Sequence, residues 1–88
     1  MTKNDKITKD WTEAFQFLVG SKIIKVDYMS SSDADKCGWH NRPIQIHLDN
    51  EAVLTPQMDD EGNNGGALWV GLEVEGEDRS LAPVLEVE

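Results

Sequence analysis

The chain of 88 residues carries 39% hydrophobic and 28% charged residues, a balance typical of a small globular domain and not of a disordered chain. Its 17 acidic and 8 basic residues give a formal net charge of −9, which argues against direct binding to nucleic acid, where lysine and arginine supply most of the affinity. A chain this short buries only a small core. Association with further chains would add buried surface and therefore stability.

The two ends of the sequence differ in charge. Residues 1–25 hold five lysines and three acids, whereas residues 49–88 hold eleven acids and a single basic residue, Arg79. The N-terminal residues lack the apolar run of a signal peptide or a membrane span. Cys37 is the only cysteine, so no intrachain disulfide can form. We therefore expect a cytoplasmic protein that binds no membrane.

The first predicted element is a short helix. Residues 1–9 are expected to form a polar arm, and residues 10–88 a single small domain. Asp10 and Glu13 have the spacing of a capping box, and Gly20 is expected to end the helix in a left-handed conformation. One apolar face combines Trp11, Ala14, Phe15 and Leu18. We expect this face to pack on a sheet, because so short a helix is not stable alone.

Alternation of apolar and polar residues predicts antiparallel strands over the rest of the chain. The predicted strands span residues 22–29, 43–49, 52–58, 68–74 and 81–88. Ile24, Val26 and Tyr28 are expected to share the inward face of the first strand. The second strand should turn inward Ile44, Ile46 and Leu48. Pro56 lacks an N–H group, so the third strand should lie at an edge or carry a bulge.

The predicted fold class is α+β and mainly β: an N-terminal helix followed by a strongly bent antiparallel sheet of four to five strands, or a small barrel that the helix caps. Residues 30–42 are predicted to be a long polar loop, and residues 59–66 an acidic, glycine-rich one. The order of elements resembles that of the Sm-like and SH3-like barrels. The RNA-gripping motifs of Sm proteins are absent, so this resemblance concerns topology only.

A second resemblance rests on the sequence itself. Gly38-Trp39, Arg42-Pro43-Ile44 and Leu48-Asp49 are followed by Asp60-Glu61-Gly62-Asn63 and Gly65-Gly66-Ala67-Leu68. Over residues 20–70 this pattern is similar to that of small bacterial proteins of about this length, some of which are encoded in mobile or integron-cassette contexts. The resemblance implies no activity.

Three chemical interpretations of the loops are disfavoured, by ligand spacing, by the number of ligands or by geometry. Counted from Asp59 or from Asp60, the loop 59–66 does not have the ligand register of an EF-hand, and its glycines and asparagines are expected to supply positive-φ corners. Cys37, His40 and His47 would give three zinc ligands, where structural zinc takes four. Cys37 and His40 also lack the fixed geometry of a nucleophile and its base. We predict no metal site, no cofactor and no enzymatic activity.

Large aromatic residues outside the predicted core are the better functional signal. Phe17 lies off the apolar face of the helix, and Trp69 lies opposite the aliphatic side of its strand. Such residues mark interfaces more often than free surface. We therefore predict an interaction module that self-associates or binds another protein. The predicted apolar contacts are Trp69, Trp39, Phe17 and Tyr28, and the predicted acidic rim is Asp59, Asp60 and Glu61.

Two alternatives stay open. The first is an acidic inhibitor or immunity-type protein that covers a basic surface, since eleven acids near the C-terminus would speed encounter with such a target. The second is a small-molecule pocket between residues 33–42 and the barrel, lined by Trp39, His40 and Arg42.

Overall fold

The fold is described by a computed structural model over residues 2–71 and 81–88. These residues form two α-helices, a 3₁₀ turn and seven short strands. In chain order they are α1 (Lys3–Ala14), the 3₁₀ turn (Gln16–Leu18), β1 (Ile23–Tyr28), α2 (Ser31–Cys37), β2 (Asn41–Arg42), β3 (Ile44–Leu48), β4 (Val53–Leu54), β5 (Leu68–Trp69), β6 (Leu81–Ala82) and β7 (Leu85–Glu86). The predicted α+β class, with a helix followed by antiparallel strands, is confirmed.

The strands of the described residues form three separate antiparallel sheets and no closed barrel. The strand orders of these sheets are β1-β3-β4, β2-β7 and β5-β6. Pro43 lies between β2 and β3, and Pro83 lies between β6 and β7. Proline offers no N–H group to a ladder. The segment around each proline therefore forms two short strands, and these two strands belong to different sheets. The single last strand predicted over 81–88 is therefore wrong, as is one continuous bent sheet.

Helix α1 begins seven residues before the predicted start. Thr2 caps it: the Thr2 hydroxyl accepts from the Asp5 N–H, and the Asp5 carboxylate accepts from the Thr2 N–H. Lys6 pairs with Asp10 at 2.8 Å, one helical turn apart. Residues 3–9, predicted to belong to a polar arm, are therefore helical, because capping and one-turn ion pairs stabilise a helix start that contains a single apolar residue, Ile7.

Helix α2 lies inside the segment predicted to be a loop. The Ser30 hydroxyl accepts from the Asp33 N–H at 3.1 Å, and Gly38 ends the helix with φ 75°. Both signals stand in the sequence, a serine three residues before an aspartate and a glycine after the last turn. The polarity of the segment favours a loop, but its two caps stabilise a helix.

The predicted central hairpin is confirmed. In the β3–β4 ladder Ile46 lies opposite Leu54, and Glu51 in the connecting turn has φ 71°. In the β1–β3 ladder Val26 lies opposite Ile46, with a bulge between Ile23 and Lys25. β4 ends at Leu54, before Pro56, and lies at the edge of its sheet as expected. Beyond β5, the predicted strand positions Leu72 and Val74 lie outside the described residues.

The core is small and lies around α2. Met29, Ala34 and Trp39 form a buried cluster against which Val87 packs. Leu48 and Pro43 are buried nearer the sheet. The expected inward face of β1 is not covered: Ile24 is 63% exposed and Val26 is 55% exposed. The predicted packing of the helix on the sheet is also wrong for the described residues, since α1 buries none of its residues.

Candidate interaction surfaces

Helix α1 carries an uncovered apolar stripe. Ile7, Trp11 and Phe15 follow one another at intervals of four residues, and Trp11 is 63% exposed. The rings of Trp11 and Phe15 stack with centroids 6.1 Å apart, and Phe15 lies at the same distance from Phe17. This arrangement brings three aromatic rings together on the outside of the molecule.

The turn of the central hairpin is hydrogen-bonded to the segment that follows this stripe in the chain. The Asn50 amide donates to the Phe17 carbonyl at 3.4 Å and to the Ser21 hydroxyl at 3.1 Å. Gly20 between them has φ 82°, a left-handed conformation that glycine adopts without strain. Gly20 therefore has the predicted conformation, although α1 itself ends at Ala14 and the 3₁₀ turn intervenes.

Strand β1 follows directly and is also apolar on its exposed face. Ile23, Ile24 and Val26 are all more than half exposed. Together with the apolar stripe of α1 and Phe17, they form a set that we call the N-terminal apolar residues. Its members are Ile7, Trp11, Phe15, Phe17, Ile23, Ile24 and Val26.

The opposite face of β1 carries charge. Asp27 Oδ1 lies 2.9 Å from His47 Nε2, and Asp27 Oδ2 lies 3.0 Å from Lys25 Nζ. The hydrogen bond to His47, and after it the one to Lys25, holds the pKa of the Asp27 carboxyl below its ordinary value. The carboxylate is therefore the form that this face of the sheet stabilises.

Trp69 is exposed, as predicted. It is 69% exposed on β5 and lies opposite Leu81 of β6, which is exposed as well. Its neighbour Leu68 points to the other side and is half-buried. Phe17 is also exposed, in agreement with its position off the predicted apolar face.

Trp39 and Tyr28 are placed differently from the prediction. Trp39 is only 8% exposed, and its indole N–H donates to the Gly62 carbonyl at 2.8 Å. Trp39 is therefore a core residue and not a surface contact. Tyr28 is half-buried, and its hydroxyl donates to the Pro83 carbonyl at 2.9 Å. Neither aromatic ring lies free beside Trp69.

The three residues predicted to line a pocket differ in their surroundings. Trp39 is buried, whereas His40 is exposed. The Arg42 guanidinium donates to the Glu86 carbonyl at 2.9 Å and lies 3.5 Å from the Glu88 carboxylate. Arg42 thus joins β2 to the C-terminal strand, and the small-molecule pocket stays a prediction. Sequence reasoning could not place Arg42, because its partners lie more than forty residues away.

A shallow groove of about 400 Å³ lies elsewhere, beside β3 and β4. It is lined by Ile46, Val53, Leu54, Thr55, Pro56 and Leu68. No local sequence pattern indicates this groove, because Leu68 reaches it from a separate sheet.

The acidic loop is held in place by its own side chains. The Asp59 carboxylate accepts from the Asn63 side-chain amide at 2.9 Å and from the Glu61 N–H at 3.0 Å. The hydrogen bonds from Asn63 are the main reason why the pKa of Asp59 lies below its ordinary value. Asp59 thus holds the loop together, although it is exposed like Asp60 and Glu61.

Asn64 attaches this loop to the rest of the chain. Its Oδ1 accepts from the backbone N–H groups of His40, Asn41 and Gly65. The expected positive-φ corner is confirmed at Gly62 and wrong for the other glycines and the asparagines of the loop. Gly65 and Gly66 are required for a different reason: a Cβ atom on either would lie less than 3.0 Å from neighbouring atoms.

Across residues 2–71 and 81–88, no three His, Cys, Asp or Glu side chains converge on a point that could hold a metal ion. In the same residues, no helix has both the length and the apolar character needed to cross a bilayer. Comparison of the chain with protein-family models, curated proteins and solved structures gave no significant match.

Proposed function

We propose that the chain is an interaction module, and not an enzyme, that self-associates through its N-terminal apolar residues. One observation carries the proposal: the described residues bury only four hydrophobic side chains and leave fourteen large ones exposed. Seven of the fourteen are the N-terminal apolar residues. Large exposed apolar groups mark interaction sites when they cluster.

The dimensions of the molecule support the same conclusion. Its accessible surface is 6908 Å², whereas a compact chain of this mass exposes about 5,200 Å². Its radius of gyration is 15.3 Å, against about 12 Å for a compact domain of this length. The excess surface of about 1,700 Å² is larger than the about 800 Å² that each partner buries in a standard interface.

Charge favours the N-terminal third as the place of contact between copies. The chain carries a net charge of −9, so two copies repel each other when they approach through their acidic halves. Residues 1–25 carry more lysines than acids. An interface built there brings together the least acidic part of both copies.

The proposal is tested by the mass of the protein in solution. Light scattering at low and at high salt should give a dimer or larger assembly at both, because apolar contacts are not screened by ions. A monomer at both salts contradicts self-association. An assembly that dissociates at high salt would instead support association through the acidic residues, as in the inhibitor hypothesis.

A pair of matched substitutions locates the interface. Trp11→Glu should convert the assembly to a monomer, because it places a charge in the aromatic stripe. Trp69→Glu introduces the same change at a similarly exposed tryptophan that lies on β5, away from α1, and it should leave the mass unchanged. The reverse result would move the interface to β5 and β6.

A further inference from the structure

The outer edge of β1 presents backbone groups that point away from its sheet. The Met29 N–H donates to the Pro43 carbonyl across the β1–β3 ladder. In an antiparallel ladder alternate residues bond to the same neighbour, so Asp27 and Lys25 face β3 together with Met29. The N–H and C=O groups of Val26 and Tyr28 therefore face outward. Within the described residues, β1 pairs only with β3.

Such an edge is a template for another strand. A second copy of β1 can meet it antiparallel about a twofold axis, the commonest symmetry of protein dimers. The outward N–H and C=O groups of one copy must then lie opposite the outward N–H and C=O groups of the other copy. This condition leaves three registers near the centre of the strand, with the axis passing at Lys25, at Val26 or at Asp27.

Charge distinguishes these three registers. An axis at Lys25 places this lysine opposite Lys25 of the partner subunit, and an axis at Asp27 places two aspartates opposite each other. Like charges directly opposite destabilise a ladder. With the axis at Val26, Lys25 lies opposite Asp27 of the partner subunit, and this pair occurs twice. The same register places Tyr28 opposite the partner's Ile24.

We infer that the chain dimerises by antiparallel pairing of β1 with β1 of a second copy, in the register centred on Val26. The inference rests on the proposed self-association and specifies its geometry. It joins two three-stranded sheets into one of six strands. The exposed side chains of Ile24 and Val26 of both copies then lie on one continuous apolar face.

The register predicts how two charge-reversal substitutions affect the dimer, alone and in a mixture. Contacts within one chain cannot produce the same pattern. Lys25→Glu places a glutamate opposite the partner's Asp27, and Asp27→Lys places a lysine opposite the partner's Lys25. Each variant alone has two like-charge pairs at its interface. In an equimolar mixture, a heterodimer pairs the new glutamate with the new lysine, and the native aspartate with the native lysine.

Light scattering over a concentration series measures this effect. Each variant alone should have a dimer dissociation constant raised about tenfold or more, since two pairs change from attraction to repulsion. The mixture should recover the wild-type value. Circular dichroism of each variant establishes that it is folded, since within the chain Asp27 also bonds to His47 and pairs with Lys25.

Three results would overturn the inference. Dimers that both single variants leave unchanged would show that self-association exists but does not use this edge. Variants that weaken the dimer without recovery on mixing would show that the charges act within one chain. A wild-type monomer would refute the proposed function itself.

Discussion

Gly65 is buried where two segments of the chain come closest. A Cβ atom at this position would lie 2.6 Å from Cδ of Pro43 and 3.1 Å from the Asn41 carbonyl oxygen. Pro43 is fully buried and cannot move away at low cost. The glycine is therefore required by the close approach of the loop to β2 and not by its own backbone angles.

We expect Gly65→Ala to lower the free energy of unfolding by about 1–3 kcal/mol, the usual cost of overpacking. Gly71→Ala is the matched control, because no atom of residues 2–71 and 81–88 lies within 4 Å of its Cβ position, and it should stay within about 0.5 kcal/mol of the wild type. Urea unfolding measures both. Equal stability of the two variants would contradict the packing of the loop.

Asp27 makes stability depend on pH in a defined direction. Its pKa is lowered in the folded chain, first by the hydrogen bond to His47 and then by the one to Lys25. The unfolded chain therefore binds this proton at a higher pH than the folded chain. The resulting stabilisation is complete above the unfolded pKa of about 3.9 and is lost as pH falls through the lower folded value.

Asp27→Asn should accordingly unfold at lower urea concentration than the wild type at pH 7, and the gap should shrink at pH 3. Asp60→Asn, at an exposed acid of the neighbouring loop, is the control. A gap for Asp27→Asn that is the same at both pH values would show that the carboxylate contributes through packing and not through its charge.

At the scale of elements, the outward amides of β1 give the sharpest test of edge pairing. At concentrations where the dimer forms, the N–H groups of Val26 and Tyr28 should exchange slowly with solvent, and dilution should make them fast. The Asp27 N–H faces β3 and should exchange slowly at both concentrations. Slow exchange of Val26 that does not change on dilution would mean that another part of the same chain covers the edge.

The sequence predicts those elements whose signals are local. The hairpin of β3 and β4 follows from alternation and a tight turn, and Gly20 has the expected left-handed conformation although α1 ends at Ala14. Helix α2 has local signals too, in Ser30 and Gly38, but its polarity favours a loop. The first turns of α1 are polar as well, and their capping residue Thr2 is the local signal that indicates the helix start.

Long-range contacts are what the sequence could not give. Trp39 looked like a loop aromatic, yet its indole N–H bonds to Gly62 and its ring lies in the core. Arg42 looked like a ligand-binding residue, yet it bonds to Glu86. Both assignments depend on residues more than twenty positions away, and no periodicity encodes such a distance. Trp69 is exposed as local alternation along its strand predicts, whereas Phe17 is exposed in a 3₁₀ turn that the helix prediction does not contain.

At the scale of the whole molecule, folding and association are expected to be coupled. A helix of twelve residues that buries none of them is marginal in water, since most helical stability comes from the packing of its apolar face. The second copy proposed above would supply such packing. Stability would then depend on protein concentration, as it does for dimers whose subunits are weakly folded alone.

The three tryptophans of the chain occupy three distinct environments. Trp39 is enclosed with its indole N–H satisfied, Trp11 stacks on Phe15 in the stripe of α1, and Trp69 is open to solvent on a remote ladder. Their fluorescence therefore divides into a buried emitter that reports on the fold, one that reports on the N-terminal apolar residues and one that serves as an internal reference. The protein carries its own optical probes for separating unfolding from dissociation.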